Sequence, residues 1–179
     1  KTVSDYGEDE IARKISVHAS LTHVAVKNNK INFIDTPGSS DFVGEVILAL
    51  RACESALVLV DGRSGVQIET IKLWRNLESR SRPRAIFVSR LDEERSSFGK
   101  SLEDIHEKFK ISPVAITIPI GEAAGLKGVV DVLNQVAYLA PASHDQKESS
   151  GPVPADMAAT VAEYRARLFE AAAEGDDEL

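Results

Sequence analysis

From residue 31 to residue 120 the chain switches repeatedly between two hydrophobic periods, and few architectures tolerate that alternation. Strand-like runs cover Lys30–Asp35, Ser55–Asp61, Arg84–Ser89 and Pro113–Pro119. Helix-like runs lie between them, over Ser40–Cys53, Val66–Arg80 and Ser97–Phe109. Runs such as Ala56-Leu57-Val58-Leu59-Val60 are continuously apolar, which predicts strands buried on both faces of a parallel sheet. In the first helix Phe42, Val46, Ala49, Leu50 and Cys53 share one stripe, which would face the sheet. Strand and helix in strict order imply right-handed crossovers and a layered α/β sandwich. A chain of 179 residues suffices for one such domain and an appendage.

The flanks read differently. Asp5–Arg13 is acidic and weakly helical, and Ile15–Val26 alternates like an edge strand. An antiparallel hairpin with Ile31–Ile34, turning through Lys27-Asn28-Asn29-Lys30, fits the Asn-rich connection. Leu126–Val136 predicts a further strand or short helix. Pro141–Pro154, rich in Ser, Pro, Lys and Glu, reads as a mobile loop. Ala155–Glu174 predicts a long amphipathic helix, with Met157, Val161, Tyr164, Leu168 and Ala172 at helical spacing.

Composition removes several function classes. A net charge of −7 gives no free-standing attraction to nucleic acid or anionic lipid, so no independent nucleic-acid binding is expected. The single Cys53 cannot form an internal disulfide, reads as a small buried filler, and makes a reducing cytoplasm the simplest home. No apolar run is long enough to span a membrane and no signal-peptide pattern occurs, so no membrane partner is expected. His18, His23, His106 and His144 lack metal-ligand spacing. The chain opens on Lys rather than Met and reads as a piece of something longer.

Three stations could carry chemistry. At Ile31–Gly38 an apolar strand runs into Asp35-Thr36-Pro37-Gly38, and a helical pattern follows. That order puts a carboxylate at a strand end, where α/β sheets bind ligands, and a Gly able to bring its amide against a phosphate. The plainer alternative is a turn in which Asp35 caps the next helix. At Ser89-Arg90-Leu91-Asp92 a carboxylate stands after a strand, able to accept two hydrogen bonds from the edge of guanine, with the stem of Arg90 over the purine; the alternative is a solvated loop acid. At Arg13-Lys14-Ile15-Ser16 the hydroxyl of Ser16 could coordinate Mg²⁺ when a phosphate orders the loop, or be an ordinary polar loop residue. Trp74 reads as core-facing helix filler.

At these stations the sequence resembles the translational GTPases. Ile34-Asp35-Thr36-Pro37-Gly38 with Asp41-Phe42-Val43-Gly44-Glu45-Val46 is similar to their switch II signature. Gly65-Val66-Gln67, Glu69-Thr70 and Trp74-Arg75 resemble the following helix of elongation factor G. Tyr164–Leu179 resembles the tail of the subdomain inserted in that factor's G domain. Val3–Tyr6 with Glu10–Ser16 resembles switch I of the elongation factor G-like branch of second-copy paralogues.

The resemblance implies a three-layer Ras-like P-loop GTPase sheet of α/β class, lacking its first strand and phosphate loop, with an inserted α/β subdomain. Residues 1–120 would form the partial GTPase domain and residues 121–179 the insertion. GTP or GDP and Mg²⁺ would be cofactors of the intact protein, a cytoplasmic monomer acting on the ribosome. Asp35 would hold Mg²⁺ through water, Ser16 would stand at the switch I Mg²⁺ position, and Gly38 would supply the γ-phosphate amide. Ser89, Arg90 and Asp92 would form the guanine-reading loop. Ser39 stands where the family carries its hydrolysis-promoting His, so slow hydrolysis is expected. Ser89-Arg90-Leu91-Asp92 replaces the usual Asn-Lys-x-Asp, and no G-x-x-x-x-G-K-[ST] occurs. The chain is therefore expected not to bind GTP tightly. A degenerate GTPase fold used as a non-catalytic docking module is the alternative reading; an unrelated α/β nucleotide-binding enzyme is a third.

Overall fold

The structure, a computed structural model, describes residues 3–141 and 149–174. Two compact units emerge: Lys1–Val58 with Gln67–Phe87, and Leu59–Val66 with Val88–Leu179.

In the first unit, helix α1 (Glu8–Arg13) precedes a hairpin of β1 (Ser20–Val26) and β2 (Asn29–Asp35). The expected turn is present in tighter form: Val26 faces Asn29 across a two-residue loop, with Lys27 at a φ of 54°. A 3-10 turn at Ser40–Phe42 leads into α2 (Val43–Ala52), whose stripe buries Ala49 and Leu50 and leaves Cys53 half-buried. Helix α3 (Ile68–Ser79) buries Trp74, as expected of it, together with Leu77. The guanidinium of Arg84 lies 4.3 Å from the centre of the Trp74 ring.

Strands β3 (Ala56–Asp61) and β4 (Arg84–Ser89) pair with each other and run through both units. The amide of Ala56 donates to the Pro83 carbonyl at one end and that of Gly62 to the Ser89 carbonyl at the other, so the pair is parallel. Burial on both faces is not what β3 shows. Val58 and Val60 are 2% and 1% exposed, whereas Leu57 and Leu59 are 53% and 62% exposed. The described sheet has only these two strands, and one of its faces is open.

The second unit adds α4 (Phe98–Phe109), β5 (Thr117–Ile120), β6 (Gly128–Asp131), β7 (Val136–Leu139), β8 (Ser149–Pro152) and α5 (Ala158–Ala173). Strands β5 to β8 form an antiparallel meander in sequence order. This corrects two expectations. The run at Pro113–Pro119 is not a fourth strand of the parallel series; from Thr117 onward it opens the antiparallel sheet. Ser149–Pro152, expected in a loop, is a strand because it satisfies the hydrogen bonds of β7, while residues 142–148 of that predicted loop lie outside the described residues. Leu126–Val136 holds β6 and a turn in which Asp131 accepts from the amide of Asn134 at 2.9 Å.

Ile118, Ile120, Val130, Val132 and Ala137 of this unit enclose Val161 of α5, with Met157, Tyr164 and Leu168 packed against the cluster. Burying an aliphatic side chain of this size is worth about 1.5–3 kcal/mol, enough to seat the helix as its spacing predicts. Gly128 is required by close approach: a Cβ there would run into the Tyr138 carbonyl oxygen.

Candidate functional site

In the first unit the hairpin register does the positioning. Ser20 faces Asp35, so the loop carrying Ser16 enters the hairpin at the end where the Asp35–Gly38 turn leaves it. Asp35 is exposed, and Pro37 is fully buried and fixes the turn. Gly38 has open space where a side chain would stand, so its backbone is accessible from that side. Ser39 is exposed and its carbonyl accepts from the Phe42 amide at 3.1 Å, opening the 3-10 turn.

The segment Ile15–Ala19, expected to extend the edge strand, instead places the amides of Val17, His18 and Ala19 on carboxylates. Glu10 of α1 accepts from the amides of Val17 at 2.9 Å and His18 at 3.1 Å through one oxygen, and from Gly7 at 3.1 Å through the other. Those bonds, the Val17 amide foremost, hold the Glu10 carboxyl below its usual range. Glu45 of α2 accepts from Ala19 at 2.8 Å. Lys14, at a φ of 56°, ends α1 in the left-handed conformation and turns the chain toward Ser16, which is half-buried. Sequence reasoning missed Glu10 and Glu45 as anchors. The motif Glu10–Ser16 held the signal, but the partners seven and eight residues away did not follow from local pattern.

In the second unit Ser89 ends β4, and its hydroxyl lies 3.4 Å from the Val60 carbonyl. Arg90 takes a φ of 57° and donates to Asp61 at 2.9 Å, with Glu93 at 3.6 Å. Asp61, which the sequence reading passed over, closes the turn after β3 by accepting from the amides of Arg63 and Ser64 at 2.8 and 2.9 Å. The Ser64 and Arg63 amides, and then Arg90, hold its carboxyl below the ordinary range. Its signal was an Asp at a strand end followed by Gly62 and Gly65. A Cβ on Gly62 would meet the Leu91 side chain at 2.8 Å and the Ser89 carbonyl oxygen at 2.9 Å, so this turn packs directly on the loop after β4. Buried Ser96 closes that loop from the other side, donating toward the carbonyls of Leu91 and Glu93. Asp92 is exposed and, among the described residues, has no hydrogen-bond partner.

Chemically, the first unit offers a carboxylate and a hydroxyl, hard oxygen ligands of the kind Mg²⁺ takes, and an accessible glycine backbone whose N–H can donate to a phosphate, at one end of a hairpin. The second offers a free carboxylate on a loop braced by ion pairs. Among the described residues no three His, Cys, Asp or Glu side chains cluster as a metal site, and no helix is long and apolar enough to cross a membrane.

Residues 1–172 match the elongation factor Tu GTP binding domain family. The chain is 32% identical over its whole length to elongation factor G of Mycoplasma pneumoniae and 35% identical over 98% of its length to elongation factor G of Rhodopseudomonas palustris. It spans about a quarter (26%) of each of those relatives. A crystal structure of a Thermus thermophilus protein superposes with a TM-score of 0.89 at 28% identity, covering 99% of this chain and 26% of that one.

Proposed function

The chain belongs to the elongation factor Tu GTP-binding domain family, as a translation-factor G domain of the elongation factor G type, and on that premise we propose that it binds guanine nucleotide with Mg²⁺ and serves GTP hydrolysis on the ribosome as part of a longer, monomeric cytoplasmic protein. The observation that carries this reading is the arrangement at the end of β2, where Asp35, the open Gly38 and the loop of Ser16 share one end of the hairpin. Asp35 and the Ser16 hydroxyl would hold Mg²⁺, the carboxylate through water. The ion would neutralise phosphate charge when bound. The Gly38 amide donates to the terminal phosphate. Asp92 accepts from the two N–H donors on the guanine edge, which adenine lacks, and Arg90, braced by Asp61, sets the loop that presents it.

Ser39 is the departure with a kinetic consequence. A hydroxyl at this position orients water but carries no positive charge into the transition state, as an imidazolium would. Hydrolysis by the intact protein is therefore slow unless a partner supplies that charge. The docking-module reading is not favoured, because relatives over the full chain are elongation factors.

The test is a titration of the chain with fluorescent guanine and adenine nucleotides in millimolar Mg²⁺. Weak but guanine-selective binding is expected. Asp92→Asn should weaken it by about tenfold to a hundredfold, the worth of hydrogen bonds to a charged acceptor. The same variant should favour xanthine nucleotides, whose extra carbonyl accepts from the new amide. Equal binding of adenine, or an Asp92→Asn variant indistinguishable from the parent, would falsify the assignment.

A further inference from the structure

We propose that a cavity of about 250 Å³ in the second unit, between the turn after β3 and one face of α4, is a binding site for a compact phosphate-bearing solute. Arg63, Arg95, Lys100 and Lys108 line it, with Asp104 the one acid among its lining residues. This concentration of positive charge stands out in a chain of net charge −7.

The charges are not equally committed. Lys108 pairs with Asp104 at 3.0 Å and donates to the Val66 carbonyl at 2.7 Å. Asp104 also accepts from the Val66 amide, so this acid and this lysine build the wall. Arg63 pairs with Glu93 at 3.2 Å. Arg95 and Lys100 pair with no carboxylate among the described residues. Arg95 stands at a φ of 66°, a conformation glycine takes without strain, yet a long cation occupies it. Two uncompensated cations at one concavity, with the Ser97 hydroxyl also lining it, form an anion site rather than a neutral cleft.

Size and chemistry select the ligand. The volume exceeds what one water needs and lies below the roughly 300–1,000 Å³ of pockets for drug-sized molecules, so the occupant is compact. A guanidinium fork beside ammonium groups suits phosphate, which offers several charged oxygens in three directions; a carboxylate uses only one plane. Gly65 lies close against this wall, since a Cβ there would strike the Asp104 carboxylate. This site does not rest on the nucleotide reading, because neither Asp92 nor Asp35 lines it.

Calorimetric titration of the full chain with pyrophosphate, in Mg²⁺-free low-salt buffer, tests the assignment, with citrate and a short RNA oligonucleotide as comparison ligands. Pyrophosphate should bind more tightly than citrate. Its Kd should rise about tenfold or more in Arg95→Ala/Lys100→Ala, whose exposed side chains make no hydrogen bond or ion pair among the described residues, and stay unchanged in Asp92→Asn. Equal affinity in the parent and the double variant, or citrate matching pyrophosphate, overturns the site. An oligonucleotide that binds more tightly than pyrophosphate through the same two side chains overturns the compact ligand in favour of a nucleic-acid backbone.

Discussion

Glu10 and Asp61 each gather the backbone amides of a loop, but they draw on different partners. Glu10 is 4% exposed and accepts three amides, with no cation bonded to it among the described residues. Asp61 accepts two amides through one oxygen and the Arg90 guanidinium through the other. Beyond Arg90 the second loop is laced by Glu93, which also meets Arg63, on side chains between about a quarter and three-fifths exposed. The loop of Ser16 is therefore shaped by backbone hydrogen bonds under cover, and the loop of Asp92 by surface charge. The first should resist salt and fail when its one carboxylate fails. The second shares its load among several weak contacts.

Removing Glu10 is the sharpest way to break that contrast. In Glu10→Ala, three amides lose their acceptor at once, and hydrogen exchange at Val17 and His18 should accelerate by at least about tenfold. Glu10→Gln keeps a carbonyl oxygen for two of them and should show a smaller acceleration. If Ala and Gln behave alike, the carboxylate is not the anchor. Asp61→Asn should be milder, costing about 1–2 kcal/mol in urea unfolding, because the Asp61 backbone carbonyl still accepts from Gly65.

Acid should reach both anchors, and in the same sense. Both carboxyls sit below their ordinary values in the folded chain, so each contributes stability that is fully present above its unfolded pKa and is lost as pH falls through its folded one. Asp131, lowered first by the Asn134 amide, follows the same sign. Exchange at Val17 and His18 should stay slow at neutral pH and rise only below about pH 4, after correction for intrinsic rates. A rise centred near pH 6 would point to a histidine instead.

These anchors also mark what a sequence can disclose. Helices were legible because their apolar spacing is local: Trp74 and Val161 are buried where periodicity puts them. Asp35 and Asp92 were legible as carboxylates following strands. Ser149–Pro152 was not, since Ser-Ser-Gly-Pro has little strand preference and is extended only because β7 supplies partners. Leu57 and Leu59 misled for the converse reason, since an apolar run cannot say how many strands flank it. Glu10 escaped because an acid in an acidic helix reads as solvated until its distant acceptor role is seen.

Salt separates the two loops with the smallest effect and the least disturbance of the chain. Raising NaCl from about 0.05 to about 0.5 M contracts the screening length from above 10 Å to a few ångströms, which weakens the exposed pairs of Arg90 and Arg63 with Glu93. Each is worth no more than about 1 kcal/mol, so amides after Asp92 should exchange only a few-fold faster. Val17 and His18, whose shared acceptor is bonded to amides rather than to a cation, should hardly change. Equal acceleration in both loops would mean that charge shapes the Ser16 loop as well. No change in either would assign the Asp92 loop to its buried bonds, those of Ser96 to the carbonyls of Leu91 and Glu93.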